Sequence, residues 1–262
     1  MVRVLVGKIE FNGQAKPVSA TPGLVTLHVW GISRRQLPWA LGRMALGRRP
    51  LRTVPGLRFA RLLGTSHGRT FTATDADPLH WALLSCWDSP AQAATFERSG
   101  YASGWDARSD ERLRLELLPL SSTGHWSRMQ PFGPEHQAAS TTGTTGTTDT
   151  TDTTGPCAIL TRARLVPSKA MTFRRAVPPV AAGLRCASGL RLARGIGEVP
   201  IGLQATFSVW DDLAAAKKFA YGNVAHRDVV RRTAEVGWYA EQLFARFAVI
   251  GASGELDGRG VA

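Results

Sequence analysis

Residues 139–155 read ASTTGTTGTTDTTDTTG. The run is polar, of low complexity and free of large apolar side chains, so it cannot bury enough surface to offset the entropy of ordering it. A flexible linker is expected there, and the segments on either side repeat one another. GLRFAR (56–61) returns as GLRLAR (189–194), and LHWALLSCWD (79–88) returns as GLQATFSVWD (202–211). Trp87 and Trp210 each stand nine residues before a phenylalanine, Phe96 and Phe219. A chain written twice is confined to folds in which both halves make the same elements in the same order.

That order can be read from local patterns. Residues 24–30 and 157–165 are short, apolar and rich in β-formers, as first strands are. Helices are expected over 34–48 and 168–185, with Ser33 and Ser168 placed to accept early backbone N–H groups. Pro38 is tolerable near a helix start, whereas Pro178 and Pro179 are expected to kink or interrupt the second helix. Strands follow at 57–63 and 80–87, and at 189–196 and 202–210. Ser89-Pro90 and Asp211-Asp212 then offer helix starts. In the closing strands Leu113, Leu115 and Leu117 alternate with Arg114 and Glu116, and Leu243, Ala245, Phe247 and Val249 alternate with Phe244, Arg246 and Ala248. The result is βαββαβ twice: an α+β chain of tandem duplicated ferredoxin-like halves forming a dimeric-α+β-barrel-like unit. The expected boundaries are an extension at 1–22, a first half at 23–120, a connection at 121–156, a second half at 157–250 and a flexible tail at 251–262. The space between the two sheets is the expected place for an apolar ligand.

Composition narrows the chemistry. No apolar run approaches the ~18 residues of a membrane span. The N-terminus lacks the pattern of a signal peptide, so a cytoplasmic chain is expected. The three cysteines, Cys86, Cys157 and Cys186, form no CxxC pair and are expected to be buried small hydrophobes. The net charge is +12, and no acid occurs between Glu10 and Asp75, a stretch holding Arg34, Arg35, Arg43, Arg58 and Arg61 among its cations. Such a field attracts nucleic acid, anionic lipid or an anionic cofactor, or is simply solvated. No nucleic-acid motif accompanies it, so no nucleic-acid partner is expected.

Nucleotide loops, HExxH and GxSxG are absent from the sequence. Histidine is the remaining chemistry. His28 and His80 fall on strands, where a hydrogen-bonded structural role is ordinary. His67 and His136 fall in exposed connections, and His125 is open. His226 stands sixteen residues after Trp210, where the first half has Ser103 at the same spacing from Trp87. A repeat that differs by His against Ser suggests that one half specialised, and a neutral imidazole can bind iron. Of the eight tryptophans, most belong in a core, and some can line an apolar pocket.

Several blocks resemble the spheroidene monooxygenase (acyclic carotenoid ketolase) family: HVW (28–30), LGRMALGRRPL (41–51), VPGLRF (54–59), LTRAR (160–164), FRRAVPPV (173–180), GIGEVPIGLQ (195–204) and GWYAEQLFARF (237–247). The likeness spans nearly all of residues 23–250, with the Thr-rich linker and the N-terminal extension departing from it. It implies a haem-dependent monooxygenase that oxidises a long apolar polyene, using dioxygen and an electron donor. The Trp210 to His226 stretch is also similar to haem-degrading enzymes of the barrel superfamily, which implies that His226 binds the iron. Arg43, Arg58 and Arg61 are then the expected partners of the haem propionates, and Trp30, Phe207, Trp238 and Tyr239 the expected lining of the substrate slot. Peripheral contact of the basic first half with anionic lipid is a further expectation. The alternatives are a haem enzyme of the aldoxime dehydratase kind acting on a nitrogen-oxygen group, a non-catalytic ligand-binding barrel, and a cofactor-free oxygenase.

Overall fold

A computed structural model describes residues 20–69, 75–134, 155–198 and 205–261. The expected linker, His136 and most of the N-terminal extension lie outside the described residues. The first half runs β1 (Leu24–Ile32), α1 (Leu37–Leu46), α2 (Arg48–Leu51), β2 (Leu57–Ser66), β3 (Ala76–Trp87), α3 (Pro90–Glu97), α4 (Gly100–Asp106) and β4 (Ser109–Gly124). The second runs β5 (Cys157–Leu165), α5 (Ala170–Arg185), β6 (Leu190–Gly197), β7 (Ala205–Trp210), α6 (Leu213–Gly222), α7 (Val224–Val236), β8 (Tyr239–Leu256) and the short β9 (Arg259–Gly260). The duplicated pattern is present, with helices covering one face of each four-stranded sheet.

The two sheets join edge to edge. Strand order is β4-β1-β3-β2-β6-β7-β5-β8, and β8 pairs back to β4, so the eight strands close into an antiparallel barrel. One seam is long, from Leu113↔Gly254 to Gly124↔Leu243. The other, β2 to β6, holds three pairs among the described residues, Gly64↔Gly197 to Ser66↔Gly195.

Alternation sends every second side chain inward. Val25, Leu27 and Val29 of β1 meet Leu113, Leu115 and Leu117 of β4, Leu160 of β5, Phe207 of β7, and Ala245 and Phe247 of β8 in one buried cluster. Among the described residues the interior between the sheets is a filled core, and a cavity lies outside it, between a sheet and its helices. The inward positions of eight strands are enough to pack a barrel of this size with side chains. One end is plugged by Trp126, whose Nε1 donates to Glu198 (3.0 Å) and whose ring lies under the Arg162 guanidinium. Arg162, itself 4% exposed, pairs with Glu241 at 2.6 Å. Glu241 also accepts from the backbone N–H groups of Ser127 and Arg128. The other end is closed by Arg194, paired with Asp77 and Asp257.

Several local expectations are corrected. The segment 251–256 is no tail: it continues β8 along β4, and Leu256 and Val261 are buried in the core. Pro178 and Pro179 sit inside an uninterrupted α5. Both are exposed, as are Arg174 and Arg175 one turn earlier, so the carbonyls they leave unbonded face the solvent side. Ser33 holds an N-cap position without a side-chain bond, and Ser168 lies within a short 3-10 turn. Asp212 and Asn223 are the effective caps, accepting from Ala215 and His226 N–H. Cys86 and Cys157 are buried as expected, but Cys186 is exposed.

Candidate functional site

The outward faces of the two sheets are related by register. Leu24 of β1 pairs with Trp87, and Cys157 of β5 pairs with Trp210, so His28 corresponds to Thr161 and Trp30 to Ala163. Likewise His28 faces Arg114 on β4, while Thr161 faces Phe244 on β8.

In the first half this face is full. Trp30 stacks on His28 and on Trp105, with ring centroids 5.0 and 5.2 Å apart, and its Nε1 donates to Asp106 at 2.8 Å. Trp81, Trp87, Phe96 and Tyr101 fill the rest of a buried cluster beneath α1, α3 and α4. His28 is buried and bonded to Glu97 (2.7 Å), which also pairs with Arg114. Burial alone would raise the Glu97 pKa, but His28 and Arg114 hold it down to about 2. His28 is thus the structural histidine its strand position suggested. His80 is another, held between Asp77 and Glu111 at 2.6 and 2.5 Å; burial opposes its charging, yet the two carboxylates keep its pKa raised.

In the second half the same face is hollow. A cavity of about 250 Å³ lies between the sheet and helices α5–α7. Its sheet wall is Ile159, Thr161, Ala163 and Leu165 of β5, Thr206, Ser208 and Trp210 of β7, and Phe244 of β8. Its helix wall is Phe173, Val177, Val180, Ala181 and Leu184 of α5, Ala216, Phe219 and Ala220 of α6, and Val229 and His226 of α7. The α5 residues recur at helical spacing, which puts them on one face. The hydroxyls of Thr161, Thr206 and Ser208 are the polar groups of the sheet wall, and Ser208 Oγ accepts from Trp210 Nε1 at 2.9 Å.

His226 is the imidazole on the helix wall. The break at Asn223 between α6 and α7 turns the chain so that Asn223 Oδ1 caps the His226 N–H (2.9 Å) and His226 Nδ1 reaches the Ala220 carbonyl (2.9 Å). A carbonyl only accepts, so Nδ1 carries the proton and Nε2 keeps its lone pair. Burial lowers the His226 pKa, partly offset by the bond to Ala220. The ring is therefore neutral at pH 7, in the tautomer of a metal-binding histidine.

The other expected site residues lie elsewhere. Arg43 covers the Tyr101 and Trp39 rings of the first half. Arg58 pairs with Asp88, and Arg61 with Glu198 at 2.8 Å. None of the three lines the cavity. Trp30 fills the first half's face, and Phe207 points into the barrel core. Trp238 and Tyr239 stand behind the wall: both rings pack edge-on against Phe173, at 5.5 and 5.7 Å, and Trp238 Nε1 donates to Thr172. The residues that sequence reasoning missed are Thr161, Ala163, Ser208, Phe173 and Phe244. The helical spacing from Phe173 to Leu184 was a legible signal for the α5 face. Ala163 and Thr161 became visible only once the two first strands were in register.

A closed barrel of two ferredoxin-like halves, with an apolar pocket beneath three helices and a neutral imidazole in its wall, defines an α+β barrel with a candidate ligand site. No protein-family model matches the chain. It is 34% identical over 224 residues to spheroidene monooxygenase of Rhodobacter capsulatus, covering 85% of this chain and 88% of that protein. It is 27% identical to spheroidene monooxygenase of Cereibacter sphaeroides, covering 84% of this chain and 64% of that protein. The chain belongs to the spheroidene monooxygenase family, and it is a monooxygenase. Among solved structures, an aldoxime dehydratase in complex with butyraldoxime superposes with a TM-score of 0.56 at 11% identity, over 88% of this chain and 82% of that one. That likeness is one of fold.

Proposed function

We propose that this monooxygenase is haem-dependent, that His226 is the axial ligand of the iron, and that the pocket accepts an apolar polyene of the acyclic carotenoid class, oxidised with dioxygen and an external electron donor. The observation that carries this reading is the bond from His226 Nδ1 to the Ala220 carbonyl. It leaves Nε2 as a lone-pair donor in an otherwise apolar chamber, the arrangement a single-imidazole haem site needs.

The imidazole donor and the apolar wall suit the macrocycle, while among the described residues no arginine or lysine lines the cavity to meet its propionates. In volume, about 250 Å³ falls just below the roughly 300–1,000 Å³ of ordinary ligand sites. The helix wall must therefore yield on loading, and α5 is the element suited to it, since Pro178 and Pro179 remove two of its backbone bonds. Bound haem would supply the activation of dioxygen. The chain's own residues do the remaining work. Ala220 fixes the tautomer of His226. Phe173, Val177, Phe219 and Phe244 exclude water and take the apolar substrate. Trp210 donates to Ser208 Oγ, which frees the Ser208 hydroxyl proton to be donated to a polar atom in the pocket.

Purified protein is expected to show a Soret band that is displaced or lost in His226→Ala, and reaction under ¹⁸O₂ is expected to place labelled oxygen in the product. A wild-type band that His226→Ala leaves unchanged sinks the ligand assignment. Product without the label moves the chemistry to the non-oxygenative class.

A further inference from the structure

We infer that the outer surface of the α5–α7 layer is a docking face for anionic lipid bilayers, through which the pocket beneath receives its substrate. These three helices carry eight basic residues against two acids. Helices α5 and α6 contain no acid at all, and the two in α7, Asp228 and Glu235, are both paired with Arg231. Exposed among the cations are Arg174, Arg175, Lys217, Lys218 and Arg227.

The same surface presents apolar side chains to water. Met171 is 58% exposed, Tyr221 and Val224 70% each, and Val230 43%. Single exposed hydrophobics are ordinary, but these four stand on one three-helix layer, interspersed with lysine and arginine. A phosphate backbone has use for the cations and none for the aliphatic groups. A bilayer surface takes both: anionic headgroups meet the cations, and the apolar side chains enter the acyl boundary. Position supports the same occupant. Tyr221 directly follows Ala220, and Val224 stands two residues before His226, both of which line the pocket. The docking face and the apolar chamber are thus two sides of one helix layer, which is where a molecule dissolved in lipid would enter.

The first half supplies the internal control. It too is basic and exposes Leu41 (44%) and Leu46 (64%), but the space beneath its helices is packed solid. Docking there would deliver nothing. Binding to lipid does not require iron; only its purpose rests on the function proposed above.

The test is sedimentation of the full chain with sucrose-loaded vesicles of phosphatidylcholine alone, or with about 30% phosphatidylglycerol added to give a negative surface. Binding about tenfold tighter to the anionic vesicles is expected, weakening as salt is raised. The double variant Lys217→Glu/Lys218→Glu should lose most of that binding. Tyr221→Ser/Val224→Ser should lose about threefold or more, with far-UV circular dichroism unchanged. Leu41→Ser/Leu46→Ser should bind as wild type, and so should His226→Ala, which separates this face from the haem assignment. Equal partitioning into both vesicle types overturns the inference. So does loss of binding in the first-half variant with none in the second-half variants. Salt-sensitive RNA binding with no vesicle binding reassigns the basic face and overturns it as well.

Discussion

The two halves of this barrel share strand order, register and the Trp-to-Phe spacing, yet the same outward face is solid in one and hollow in the other. Trp30 against Ala163, His28 against Thr161 and Arg114 against Phe244 account for the difference. In the first half, large aromatic rings and a Glu97–His28–Arg114 network spend the space on stability. In the second, small and hydroxylic residues leave a chamber, and His226 stands three residues after its helix cap where the first half has Ala102. A fused duplicate can make this division because its halves mutate separately, which a homodimer of one such half cannot do.

The comparison can be broken most directly at the chamber. Ala163→Trp gives the second half the first half's plug; the variant is expected to fold but to take up haem at least about 100-fold more weakly. His226→Ala should do comparable damage, while Ser103→Ala in the first half should do none. Haem titration followed by absorbance checks all three. The reverse exchange, Trp30→Ala, removes a buried ring and one of the two donors to Asp106. It should cost about 3–5 kcal/mol in urea unfolding without creating a second haem site. A chamber that loads haem there would mean that room alone, and not His226, makes the site.

Smaller effects sharpen the contrast. Glu97→Gln weakens a half-buried ion network and should cost about 1–3 kcal/mol, less than a fully buried pair because Glu97 keeps some exposure. Because the folded-state pKa of Glu97 is held at about 2, below its ordinary value, its contribution is complete above the ordinary carboxylate pKa and is lost as pH falls toward 2. Denaturation curves of wild type and variant should therefore converge in acid. His226 has the opposite chemistry. Burial lowers its pKa, so the neutral ring is favoured in the fold. Its support is complete above about pH 6.5 and is lost as pH falls through the depressed value, with haem release as the optical readout. The smallest expected signal is slower amide exchange in α5 on haem addition, confined to the turns beside Pro178.

The fold was largely legible because duplication tests itself: each pattern found once had to recur. The Trp87 and Trp210 blocks aligned without structure, and so did the alternating last strands. The pocket was not legible, for a physical reason. Both faces of β1 are buried, one by the barrel core and one by helices, so apolar character does not say which way a residue points. Phe207 and Trp30 are both buried aromatics, yet one faces the barrel interior and the other the helices. Phe244 looked like the polar-side partner of an alternating strand and is instead part of the wall. The propionate arginines were chosen by the charge of the first half, and charge on a sequence does not reveal that Arg58 and Arg61 already have carboxylate partners. His226 stands out by a difference between repeats, which survives any uncertainty about facing, and it lies in the pocket wall.

The unequal seams have a mechanical consequence. One fastening of the ring is a long zip along β4 and β8, and the other is a three-tooth clasp between β2 and β6. Pulled or warmed, the ring should come undone at Gly64 and Gly197 first and swing open like a locket about the long zip, both leaves still folded.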